Sequence, residues 1–221
     1  EKFALLGTGA KLQSERYEIS GRYGDRPAGK MASGSSGLRI IVHQTAPIRL
    51  TYSDAKKFDE FAREKGFDDA LVQHQDRGLP LSKITERYQR YAKSLIAVGG
   101  PEKIGAGQDR HLGLAIELVA EANPYQWPPL QSMPVRLYAD GEPLANAQIT
   151  VFTRHNPRHV EKAKYQTDQD GRSNFALLAG RDYLVDSVIL RPMDGAIESS
   201  DAMWESIWAS LTFQVPANPK M

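Results

Sequence analysis

Along the first fifty residues, apolar positions recur every second residue. Arg16-Tyr17-Glu18-Ile19-Ser20 alternates polar and apolar side chains, as a half-buried strand does. Leu38-Arg39-Ile40-Ile41-Val42 is rich in β-branched residues, and Ile48-Arg49-Leu50-Thr51-Tyr52 alternates again after the break at Pro47. Gly21, Gly24, Pro27 and Gly29 punctuate a turn region, and Met31 to Gly37 reads as a flexible loop.

The period then changes. Ser53 is placed to cap a helix, with Asp54 in the first turn, where the helix dipole favours an acid. Ala55, Phe58, Phe61 and Ala62 recur at three- and four-residue spacing, and Gly66 is a natural stop. A second helix is predicted after Ser82, because Ile84, Tyr88, Tyr91, Ala92 and Leu95 would form one apolar stripe before Gly99-Gly100-Pro101. Leu112 to Val119 returns to strand-like sequence. Pro124, Pro128, Pro129 and Pro134 then cluster where neither a helix nor a central strand can continue. Beyond them, Val135 to Tyr138, Gln148 to Thr153, Ser173 to Leu177, Tyr183 to Leu190 and Leu211 to Val215 read as short strands, with tight turns at Asp140-Gly141 and Asp170-Gly171. The predicted fold class is mainly β, with two β-sandwich domains. Residues 1–127 would form an N-terminal β domain carrying a helical insertion at about 53–98, and residues 128–221 a C-terminal Ig-like or transthyretin-like sandwich.

Composition narrows the function classes. The 221 residues include no cysteine, which excludes disulfides, thiolate metal sites, iron–sulfur clusters and a cysteine nucleophile. Lys and Arg number 28 against 27 Asp and Glu, and a net charge of +1 lacks the basic excess of a nucleic-acid binder. The apolar runs fall far short of the roughly 20 residues that span a bilayer as a helix. No signal-peptide pattern is visible at the start, which fits either a trimmed cytosolic chain or an exported chain after processing.

Few motifs carry chemistry. His155 and His159 flank Asn156-Pro157-Arg158 in a loop or hairpin arm, where two imidazoles could share a metal ion with Glu161 as an oxygen ligand. A polar, solvated hairpin accounts for the same residues. Asp168-Gln169-Asp170-Gly171 begins like a calcium loop, but its glycine comes two positions too early, so turn chemistry explains it better. Gly34-Ser35-Ser36-Gly37 is one residue short of a nucleophile elbow, and Gly7-Thr8-Gly9-Ala10-Lys11 lacks the phosphate-loop spacing. Lys83, Arg87 and Arg90 form a basic stripe on the predicted second helix, suited to an anionic ligand or simply to solvent. Tyr125 and Trp127 could offer an aromatic platform to a sugar or pack at a domain junction. Trp204 and Trp208, four apart, read as a packed anchor, and Glu205 and Ser206 are the polar residues beside them.

Taken together, several segments resemble a bacterial family of exported proteins of unknown function. Members often carry the label of periplasmic component of a cobalt/nickel transport system. The likeness rests on Arg87-Tyr88-Gln89-Arg90-Tyr91-Ala92-Lys93-Ser94-Leu95 with Val98-Gly99, on Leu112-Gly113-Leu114-Ala115-Ile116-Glu117 and on Asn123-Pro124. It continues in Gly141-Glu142-Pro143-Leu144-Ala145-Asn146-Ala147, in Thr167-Asp168-Gln169-Asp170-Gly171-Arg172 and in Trp204 to Phe213. The Gly141 to Ala147 and Thr167 to Arg172 segments also resemble transthyretin-like or carboxypeptidase-regulatory-like sandwich modules. The resemblance implies two β domains and periplasmic residence. It also implies a role in metal uptake beside an inner-membrane transporter. Similar proteins begin with a short segment containing His and Trp; none precedes Phe3 here, which leaves His155, His159 and Glu161 as ligand candidates. The resulting expectation is a non-enzymatic periplasmic protein binding a divalent nickel or cobalt ion, for which imidazole ligands are suited. The alternative is a cell-envelope module binding protein or glycan through its sandwich edges or through Tyr125 and Trp127.

Overall fold

The structure, a computed structural model, describes residues 2–7, 15–16, 36–99, 107–193 and 202–217. Among these, β1 (Lys2–Gly7), β2 (Glu15–Arg16), β3 (Gly37–Gln44) and β4 (Ile48–Asp54) lead into α1 (Ala55–Glu64) and α2 (Ala70–Asp76). The long strand β5 (Ser82–Val98) follows, then β6 (Ile116–Ala120), β7 (Ser132–Ala139) and β8 (Glu142–Pro143). Last come β9 (Gln148–Asn156), β10 (His159–Gln166), β11 (Arg172–Ala176), β12 (Asp182–Pro192) and β13 (Trp204–Gln214). The fold is mainly β. Of the strand expected at Arg16 to Ser20 only Arg16 is described, and the turn region from Gly21 to Gly29 and most of the loop from Met31 to Gly37 lie outside the described residues.

Two sheets stack face to face. The larger has nine strands in the order β10-β9-β12-β13-β5-β3-β1-β2, with β4 beside β3 on the same flank of β5. The smaller has the order β11-β7-β6, with β8 on β7. β13 runs antiparallel to β12 and parallel to β5, so it joins strands from both halves of the chain. Residue 127 lies between β6 and β7, which pair with each other in the smaller sheet.

The core between the sheets follows from alternation. Met133, Val135 and Leu137 of β7 point inward with Ile116 and Leu118 of β6, against Leu38, Ile40, Leu95, Ile149, Val151, Val185 and Leu211 of the larger sheet. A second cluster lies on the outer face, where α1 and α2 lay Phe58, Ala62 and Ala70 on Ile84, Leu190 and Trp204. α1 starts as its sequence predicts but one residue later. Asp54, not Ser53, is the N-cap, and its Oδ1 accepts from Lys57 N at 3.0 Å. Gly66 follows the helix with φ +88°, a conformation that glycine adopts without steric cost.

The second helix falls elsewhere than its periodicity predicts. The residues from Ser82 to Val98 form the strand β5, and α2 lies before them. β5 is covered on its outer face by the helices near Ile84 and on its inner face by the smaller sheet near Tyr91 and Leu95. The buried face therefore changes between Tyr88 and Tyr91, and a period of two with one change of face imitates helical spacing. Two further buried positions are charged, Glu86 on the outer face and Lys93 on the inner one, so their part of the alternation does not show as hydrophobicity. The strand expected from Leu112 to Val119 also begins later, at Ile116, because Leu112 N and Leu114 N donate instead to the Glu117 carboxylate at 2.9 and 3.2 Å.

Candidate functional site

The residues singled out by sequence separate into three places. His159 and Glu161 come together on β10, with Nε2 3.2 Å from Oε1, both well exposed. His155 is exposed near the end of β9, and among the described residues no hydrogen bond or ion pair joins it to the other two. Among the described residues, no group of three or more His, Asp or Glu side chains converges as a metal site does. Tyr125 turns inward: its ring packs on the main core and its OH donates to Leu95 O at 2.7 Å. Burial holds that phenol above its ordinary pKa. Trp127 is 66% exposed, so the two aromatics are not stacked into one platform.

A groove of about 720 Å³ lies on the larger sheet. Its apolar lining comes from Ile96 of β5, Phe152 of β9, Val160 of β10 and Leu184 of β12. Ile96, Phe152 and Leu184 share a face because each follows the alternation outward from a core neighbour, Leu95, Val151 and Val185, and Val160 joins them through its pairing with Arg154. The helices rest on other residues of the sheet, and Val160 and Leu184 stay exposed. Polar side chains mark its rim. Arg154 donates twice to Asp182 Oδ2, at 3.0 and 2.8 Å, while Gln214 Nε2 donates to Asp182 Oδ1 at 3.0 Å. Such a concavity, apolar with a few convergent polar groups, has the composition of a ligand site. Tyr125 also lines it.

Two buried polar groups on β5 went unseen in the sequence. Lys93 Nζ lies 2.7 Å from Asp109 Oδ1, 2.9 Å from Glu117 Oε1 and 3.0 Å from Arg110 O, which occupies all three ammonium donors. Asp109 in turn accepts from Ala120 N at 2.9 Å and from Arg110 N at 2.8 Å. Burial pushes the Asp109 carboxyl up despite the ammonium beside it. With every donor used, the triad is a clamp that fixes residues 107–117 between the sheets rather than an open reactive centre. Glu86 forms the second group. Tyr52 OH donates to its Oε2 at 2.5 Å, Ser206 Oγ donates to its Oε1, and Trp208 Nε1 donates to Ser206 Oγ at 2.7 Å. Burial first, and then the carboxylate, hold the Tyr52 phenol far above its usual pKa. The sequence marks Ser206 only as a polar neighbour of the tryptophans. Its partner could not be read from sequence, since 120 positions separate the two.

A family model described as "Domain of unknown function (DUF4198)" matches residues 11–189, and the chain belongs to that family. No curated protein matches the chain, and no solved structure does. Among the described residues, no helix is long and apolar enough to cross a membrane.

Proposed function

We propose that this chain is a non-enzymatic binding module of the bacterial cell envelope, and that the groove over β9, β12 and β5 holds an apolar segment of a protein partner. One observation carries the reading: Ile96, Phe152, Val160 and Leu184 form an apolar floor on a part of the sheet's outer face that the helices leave uncovered. The most exposed apolar residues of the lining, Val160 and Leu184, are aliphatic, whereas its aromatic residues Tyr183 and Phe213 are almost wholly buried, and this suits apolar protein side chains better than sugar rings, which call for exposed aromatic faces. The Arg154–Asp182 pair at the rim gives such a segment an orientation. Placement in the periplasm rests on the resemblance to exported proteins. A photo-reactive amino acid at Leu184, in the chain expressed in its own cells, tests the reading. A discrete protein adduct that disappears with Phe152→Asp is the expected result, provided circular dichroism shows the variant folded. No adduct, or one indifferent to Phe152, would sink it.

A second reading, nickel or cobalt uptake beside an inner-membrane transporter, is favoured by the His159–Glu161 contact and by the label that similar proteins carry. Calorimetric titration with Ni(II) then gives saturable heat, which His155→Ala combined with His159→Ala removes. Unchanged heat in the double variant takes the site away from this hairpin.

A further inference from the structure

The larger sheet ends differently on its two flanks. At one, β10 presents Glu161, Lys162 and Lys164, charged side chains of the kind that stop an edge from recruiting another strand. The other flank ends in β2 along one stretch and in β4 along the next; β4 hydrogen-bonds only to β5, and its far side is an open edge among the described residues. That edge carries Ile48 and Leu50, 43% and 42% exposed, where protection would place charge.

The opposite face of β4 carries a cation, Arg49, with no ion pair among the described residues. The β4–β5 register sets Arg49 directly across from Arg87, a like-charged pair that costs stability unless something answers it. Arg87 has an answer: its Nε and Nη2 donate to Glu205 Oε1 at 3.1 and 2.5 Å, and Arg191 takes the other oxygen at 2.6 Å. The row Arg49–Arg87–Glu205–Arg191 therefore crosses four strands with three cations and one anion. Arg49 is exposed and has no ion pair among the described residues.

We propose that the open edge of β4 binds an extended peptide strand in which acidic residues alternate with apolar ones. The acids lie beside Arg49, and the apolar residues lie on the face of Ile48 and Leu50. Main-chain hydrogen bonds to a sheet edge supply affinity, and alternate side chains supply specificity. Charge complementarity selects this occupant over a second copy of the chain. The acid that β4 itself could offer is Asp54, five positions from Arg49 and hence on the opposite face. The edge shares no residue with the groove, so the inference stands apart from the proposed function.

The test uses the full chain and two labelled peptides of about ten residues, the length that spans one strand with overhang. One alternates Glu with Val and the other Lys with Val. Fluorescence anisotropy shows saturable binding of the Glu–Val peptide alone, and hydrogen exchange shows slowed β4 amides in the complex. Arg49→Glu, a surface change, weakens that binding about tenfold or more and admits the Lys–Val peptide. Lys57→Glu, a surface change of the same charge reversal on α1, leaves the peptide affinity as it is. Equal binding of both peptides overturns the proposal, as do β4 amides that exchange as before. Sedimentation showing a β4-dependent dimer would replace the peptide with a second copy.

Discussion

Trp204 Nε1 donates a hydrogen bond to His74 Nδ1 across 3.1 Å, inside the outer cluster. An indole nitrogen can only donate, so Nδ1 must be the bare acceptor. Nε2 then carries the proton, and its N–H donates a hydrogen bond to Pro80 O at 2.9 Å. One neutral tautomer thus links α2, the turn after it and β13. His74→Phe fills the space but leaves a buried indole N–H and a carbonyl without partners, each worth about 1–3 kcal/mol. Urea titration followed by tryptophan fluorescence should show a clearly lower midpoint with an unchanged slope. An unchanged midpoint would show that water reaches both groups.

Lys93→Met tests the clamp between the sheets. It leaves two carboxylates buried without their cation, with Asp109 and Glu117 side chains 0% exposed, and should cost about 3–5 kcal/mol in chemical denaturation. Adding Asp109→Asn and Glu117→Gln removes the stranded charges while leaving oxygen acceptors for the backbone donors. The triple variant should then be more stable than the single one. A single variant as stable as the parent would contradict the assignment.

Glu205 gives stability a pH dependence. Burial opposes its ionisation, but hydrogen bonds from Arg87 and Arg191 outweigh burial and hold its carboxyl below the ordinary glutamate value. A lowered folded pKa means stabilisation that is complete above the unfolded value of about 4.3 and is lost as pH falls through the folded one. Glu205→Gln should therefore flatten the acid limb of the melting-temperature profile. At neutral pH its cost should stay near 1 kcal/mol, because both arginines are about half exposed and screened. Parallel acid limbs would refute this.

Gly171 has φ +73°, and a Cβ there would sit 2.7 Å from Leu137 O and 3.0 Å from Leu144 N. Gly171→Ala meets main chain on both sides and should lower stability by about 1–3 kcal/mol in thermal unfolding. Asp168 Oδ1 holds the same turn, accepting from Asp170 N and Arg172 N at 2.9 and 2.8 Å. Asp168→Ala should cost less than Gly171→Ala.

That turn was legible in the sequence because its causes are local: an aspartate that bonds its own backbone and a glycine at positive φ. The strands β7, β9 and β12 were legible for the same reason, with one face buried along much of each. β5 was not, since two different layers cover its two faces and its charged inward residues find partners 24 and 120 positions away. Tyr125 was singled out and does line the groove, but for its place in a proline cluster. The groove itself comes from strands far apart in sequence, and residues such as Phe152 and Leu184 read alone as ordinary strand positions.

The position of β13 also orders events in time. It is synthesised after every other described strand, yet it fills the slot between β12 and β5. Until it arrives, the strands β1 to β5 and the strands β9, β10 and β12 belong to two separate fragments with raw central edges. Closing the sheet is then a long-range step, slow by its topology and exposed to mispairing while it waits. A nascent chain stopped before Trp204 should remain protease-sensitive along β5 and β12, with stable protection arriving only as the final strand docks.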